Sequence, residues 1–212
     1  MQNLKAAITD GLETVGEHFE NIIKNNVGET VFSELPVIKY AFSIDKIHRS
    51  IRDYRLFMRI ERFIRGVSPQ FDKSTFLLKF QTPEEKQRLC NILFNVIDKI
   101  EDEQKIDLMV NLFQSFLIGK ISYMEFIRFS HIVSQCLYDD LKWLTGFVTP
   151  CFVQDNVELY GLTNTCLVQP DGADYGNCLD NGFNVGGDRY RRTELGAKFC
   201  DAAFEFHQYL PI

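Results

Sequence analysis

The sequence predicts a mainly α protein, with a multi-helix body over residues 1–149 and a small α+β, winged-helix-like appendage over residues 150–212. Three observations predict it. Between Lys105 and Leu137, apolar residues recur at spacings of three and four on both sides of Gly119, as in two amphipathic helices joined by a tight turn. Two segments open with the chemistry of a helix start: Thr82-Pro83-Glu84-Glu85, and Ser122 with Glu125. After Thr149-Pro150 the helical period is lost and Gly, Asn, Asp and Cys become frequent.

In chain order, residues 2–26 form a first amphipathic pattern, with Leu4, Ile8, Leu12, Val15, Phe19 and Ile22 on one face. Asn25-Asn26 and Gly28 end it. A long helix follows Pro36 and stops at Gly66 and Pro69. Its apolar members include Ile47, Ile51, Tyr54, Met58 and Phe63. A short helical turn is expected over residues 74–80. Thr82 then caps a helix running to about Ile100, with Pro83 at its first position and Glu85 closing the capping box. A charged joint leads into the central pair. Its first helix presents Ile106, Met109, Val110, Phe113, Phe116 and Leu117, and its second presents Phe126, Ile127, Phe129 and Val133. Another short helix over 140–147 carries Trp143, with Asp139 and Asp140 expected to serve as cap and dipole partners. In the last third the sequence predicts a short helix over 156–165, a strand at Leu167-Val168 and a hairpin turning at Gly186-Gly187-Asp188. A closing helix capped by Thr193 ends the pattern.

Composition narrows the function. Hydrophobic residues are 45% of 212, and nineteen Phe can fill a sizeable core. The net charge of −6 argues against a nucleic-acid binder by bulk electrostatics and leaves room only for a local patch. The start of the chain lacks a signal-peptide pattern, and the apolar run at Val110–Ile118 is short of the roughly 20 residues a bilayer takes. A cytoplasmic protein is expected. The six Cys (90, 136, 151, 166, 178 and 200) form no C-x-x-C pair and match no zinc spacing, so free thiols are expected, with no metal and no cofactor.

Local arrangements that imitate chemistry fail on inspection. The turn at Gly119 has the glycine, Ile121 and Glu125 of a calcium loop, but the first ligand positions fall on Gln114, Phe116 and Ile118, which lack the required carboxylates. His131 with Ser134 or Cys136 suggests nucleophilic catalysis. Residues 131 and 136 are about 140° apart around a helix, however, so they do not face each other. Gly182, Gly186 and Gly187 are not followed by the Lys-Ser/Thr of a phosphate loop. The chain is not expected to be an enzyme.

Charge patterning gives the candidate binding residues. Residues 39–65 hold eight bases against three acids, and Arg49, Arg52, Arg55, Arg59 and Arg62 follow at steps of three and four, forming a stripe on one helix face. Arg189, Arg191 and Arg192 stand on the wing, where phosphate contact is conceivable. Residues 151–212 hold nine acids against four bases, so a duplex would be repelled by most of that surface. The same acidity makes this region a tethered candidate to cover the arginine stripe.

ELPVIKYAFSIDKIHRSIRDYRLFMRIERFI, NLFQSFLIGKISYMEFIRFS and YRRTELGAKFCDA together resemble a family of uncharacterised bacterial helical proteins with a winged-helix-like C-terminus. The resemblance implies a shared fold and carries over no catalytic residue. The expected function is a non-catalytic protein-interaction or regulatory module of the bacterial cytoplasm, with a protein partner or a second copy bound. Two alternatives stay open: a phage-defence or abortive-infection effector acting on membranes through the basic helix, and a nucleic-acid-binding regulator.

Overall fold

A computed structural model describes residues 51–67, 73–147, 151, 152, 157–174 and 187–204. The helix expected over 2–26, the first part of the long helix after Pro36, and residues 205–212 lie outside the described residues. The elements are α1 (Ile51–Val67), α2 (Lys73–Lys79), α3 (Pro83–Lys99), α4 (Glu103–Leu117), α5 (Tyr123–Gln135) and α6 (Tyr138–Trp143). A 3₁₀ turn (Leu144–Gly146) follows, then β1 (Cys151–Phe152), α7 (Val157–Leu162), β2 (Val168–Asp174), β3 (Gly187–Arg192) and α8 (Glu194–Ala203). The fold is mainly helical with a small antiparallel sheet.

The helix starts follow local chemistry. The Thr82 hydroxyl accepts from Glu85 N at 3.2 Å while Glu85 Oε2 accepts from Thr82 N at 3.2 Å, which satisfies two orphan amides of α3 reciprocally. Ser122 and Glu125 repeat this box at α5. Gly119 takes φ +82° just past α4. Its amide donates to Phe116 O at 3.0 Å and the Lys120 amide to Ser115 O at 2.9 Å, the bond pair of a Schellman ending.

Glu125 does more than cap. Its Oε1 accepts from Lys198 Nζ of α8 at 2.7 Å, tying the start of α5 to the last helix. The Lys198 ammonium, with the Ser122 amide, lowers its carboxyl from 4.5 to about 2. A depressed carboxylate contributes stability that is present above pH 4.5 and lost as pH falls toward 2. Glu125→Gln is therefore expected to cost about 1–2 kcal/mol at neutral pH, a figure reduced for the solvent-exposed Lys198. The difference from wild type should close by about pH 2 in urea titrations run across that range.

α4 is the axis of the core. The sequence reads it as amphipathic, yet twelve of its fifteen residues are buried, because neighbours cover it on several sides. Phe113 meets Phe63 of α1 and Phe126 of α5, each at 5.7 Å, and Phe116 stacks on Phe126 at 5.5 Å. The buried polar residues of α4 serve the ends of other helices. Lys105 Nζ donates to Cys136 O just past α5 at 2.8 Å, and Gln114 Nε2 donates to Gly66 O in α1 at 3.0 Å. Asn111 Nδ2 and Ser115 Oγ donate to Ala203 O and Ala202 O of α8, while Lys120 Nζ takes Asp201 O. Carbonyls that helices leave open at their C-termini are thus closed by side chains from a different helix. One buried cluster includes residues of α1 to α6 together with Leu159, Leu162, Leu167, Val168 and Phe199.

The sheet order is β1-β3-β2, with all pairs antiparallel. The expected turn at Gly186-Gly187-Asp188 is corrected here. Gly187 and Asp188 lie inside β3, opposite Asp174 and Ala173 of β2, while residues 183–186 lie outside the described residues. The strand expected at Leu167-Val168 is the start of β2, which runs on through Pro170-Asp171-Gly172 to Asp174. The strand tolerates Pro170 because β2 is an edge, and it absorbs Gly172 (φ +100°) in an irregularity between Pro170 and Ala173. Asp139 and Asp140 do not cap α6. Leu137 holds the cap position with no side-chain bond, and the two acids sit in the first turn.

Candidate functional site

The arginine stripe produces a groove. α1 buries Leu56, Ile60, Phe63, Ile64 and Val67, which turns Arg55, Arg59 and Arg62 toward the opposite side, as their spacing requires. Together with Met58, Glu61, Arg65, Glu101 and Glu103 they line a cavity of about 700 Å³ between α1 and the α3–α4 joint. Met58, expected on the apolar face, is 40% exposed and forms part of this lining. Arg49 lies outside the described residues, and for Arg52 only the helical backbone is described.

Most of the groove's positive charge is answered from within the helical body. Arg62 grips Asp107 with two parallel bonds, Nε to Oδ1 at 2.8 Å and Nη2 to Oδ2 at 2.7 Å, and reaches Glu103 with Nη1 at 2.7 Å. The Asp107 hydrogen bond raises the Arg62 guanidinium above its ordinary value. Arg65 pairs with buried Glu61 one turn earlier, at 2.8 Å. Arg59 Nη1 donates to Asp98 O at 3.2 Å, satisfying an open carbonyl at the end of α3. The acids that meet Arg62 and Arg65 come from α1 and α4, so at these two arginines the acidic C-terminal region is not the partner. Arg55 is exposed and has no ion-pair partner among the described residues. Sequence reasoning missed Glu103 and Asp107. Their spacing of four at the head of a helix marks a two-acid face, but nothing local says which arginine meets it.

The arginines of β3, Arg189, Arg191 and Arg192, do not join this groove. Arg191 faces Asp171 of β2 at 3.7 Å, and the Gln169 amide oxygen, once oriented to satisfy both its ends, accepts from Arg191 Nη2 at 2.6 Å. Arg192 Nη1 donates to Leu144 O in the 3₁₀ turn at 3.2 Å. The Nε of Arg189 is buried without a hydrogen-bond partner among the described residues. Two of the three therefore serve the fold.

The candidate nucleophiles are not assembled for catalysis. His131 is exposed, and Ser134 Oγ donates to the His131 carbonyl at 2.7 Å and not to its ring. Burial, and then the Asp140 carboxylate, push the Cys136 thiol up to about 11, so it stays protonated at neutral pH. Asp140 is itself buried against Gly161, and burial followed by the charges of Glu158 and Asp139 raises its carboxyl. Among the described residues no group of three His, Cys, Asp or Glu could hold a metal ion, and no helix is long and apolar enough to cross a membrane. Compared with protein-family models, with curated proteins and with solved structures, the chain finds no match.

Proposed function

We propose that the chain is a non-catalytic protein-interaction or regulatory module that binds a partner segment in the groove along α1. The observation that carries this reading is the mixed lining: four arginines, three glutamates and an exposed methionine. A phosphate backbone or an anionic lipid surface entering the groove would meet Glu101 and Glu103 as well as Arg55. A peptide can carry both signs of charge and an apolar side chain for Met58, so it matches all three features at once. The cavity suits one extended segment held by a few anchors. The resemblance to bacterial helical proteins fits the same reading. A winged-helix-like shape of the C-terminal part is supported by the β1-β3-β2 order, although one described helix, α7, stands between β1 and β2.

The test is peptide display on the intact protein. Selected binders should place an acidic residue beside an apolar one. Arg55→Glu with Met58→Asp should weaken them by about thirtyfold, since a rim charge and one apolar contact are each worth about 1 kcal/mol. Tight binding of duplex DNA or anionic vesicles at about 150 mM salt, abolished by the same pair, would overturn the reading. DNA would favour a nucleic-acid-binding regulator, and vesicles a defence effector acting on membranes.

A further inference from the structure

A second cavity, of about 410 Å³, opens where four helices converge. It is lined by Lys79 and Phe80 at the end of α2, Glu85 and Arg88 of α3, Phe116 of α4 and Tyr123 of α5. Its base is aromatic. The Phe80, Phe116 and Tyr123 rings lie mutually 5.7–5.9 Å apart, with Tyr123 edge-on to Phe80. The two phenylalanines are 5% and 4% exposed, and the half-buried Tyr123 adds a phenol.

The charge at the rim differs from that of the α1 groove. There, two of four arginines form ion pairs and a third is committed to a carbonyl. Here Lys79 Nζ stands 5.0 Å from the Phe116 ring centroid, held by the ring face. Neither Lys79 nor Arg88 has a carboxylate partner within ion-pair distance among the described residues. Glu85 is the one acid in the lining, and its Oε2 already accepts the amides of Gln81 and Thr82. The lining therefore carries two cations against one engaged carboxylate, which matches a single negative charge better than a polyanion. The volume lies in the range of small-molecule sites.

We infer that this cavity binds a small organic monoanion, an aryl carboxylate, with its ring against the Phe80–Phe116–Tyr123 floor and its carboxylate between Arg88 and Lys79. The ring supplies apolar contact to the aromatic floor. The carboxylate finds the planar fork of Arg88, suited to two parallel bonds. Tyr123 stands beside both. Burial raises its phenol and Arg88 opposes that rise, so the phenol remains a protonated donor at neutral pH. This inference is independent of the α1 groove: the two cavities share no lining residue.

The probe is 3-phenylpropionate, titrated into isotope-labelled intact protein and read by backbone amide shifts. Saturable shifts at Arg88 and Tyr123 are expected, with a dissociation constant of about 1–10 mM, the range open to so small a ligand. The neutral amide of the same acid should bind at least about fivefold more weakly, as should 3-phenylpropionate to Arg88→Gln, because each comparison removes one charge-assisted contact. Arg88 is exposed, so its replacement should leave the fold intact. Arg55→Glu in the other groove should change nothing. No saturation, equal binding of acid and amide, or equal binding by Arg88→Gln would each overturn the proposal. So would inorganic phosphate producing the same shifts at the same concentration, because the ring would then contribute nothing.

Discussion

Replacing Phe113 with Ala is expected to destabilise the protein by about 3–5 kcal/mol. The side chain is fully buried and bridges three helices, touching Phe63 of α1 and Phe126 of α5 while sharing α4 with Phe116. Each neighbour is held by other contacts, so none can move in to fill the space without opening another gap. Incomplete collapse is what takes such a substitution to the upper end of its range. A urea titration with an unchanged slope reads the loss directly. A loss below about 1 kcal/mol would remove the α4–α5 pair from the centre of the core.

Gly196→Ala is expected to cost about 3 kcal/mol, a large effect for one methyl group. Gly196 lies in the first turn of α8, where a Cβ would run into the Leu167 carbonyl and come within 3.0 Å of Arg192 Cγ. The obstructing atom is backbone, so a rotamer change cannot relieve it. The same joint carries three further bonds. Thr193 N donates to Leu167 O at 3.0 Å, and Thr193 Oγ1 contacts Cys166 O at 2.7 Å while accepting from Gly196 N at 2.9 Å. Gly146→Ala is the control, since a Cβ there meets nothing within 4 Å, and it should stay within about 0.5 kcal/mol of wild type. Equal effects at the two positions would mean that the close approach at Leu167 does not limit α8.

Elements whose cause lies within five residues were legible in the sequence. The two capping boxes, the Gly119 ending and the Thr193 cap all rest on bonds of that reach, and each stands where its spacing placed it. Periodicity likewise located the apolar faces of α4 and α5. What was hidden depends on partners far along the chain. Lys105, Asn111, Gln114 and Ser115 look like the solvent side of α4, yet each is buried against a carbonyl 31 to 92 residues away. The length of β2 beyond Val168 was not legible, because Pro170 and Gly172 are accommodated only by the irregularity of this edge strand. The candidate site divides in the same way. Spacing alone aligned Arg55, Arg59 and Arg62, but only the crossing of α1 over α4 brought Glu103 and Asp107 to Arg62. The aromatic cavity drew one residue each from α4 and α5 and two each from α2 and α3, so no local stretch announced it.

The capping of other helices by α4 has a consequence for how this chain can vary. A bond from a side chain to a backbone oxygen couples one particular residue to a place in space, not to a second residue type. Ser115 requires an oxygen where Ala202 puts its carbonyl, and any residue that keeps α8 ending there supplies one. Position 202 is therefore free to drift, within the room its buried side chain has, while position 115 is not. The same one-sided dependence links Asn111 to position 203, Gln114 to position 66 and Lys105 to position 136. Paired substitutions, the usual trace of two residues in contact, would not arise at these joints. In divergent copies of this chain the donors would stand fixed opposite partners that change without pattern, and the connections that hold the helices together would leave no correlated signal.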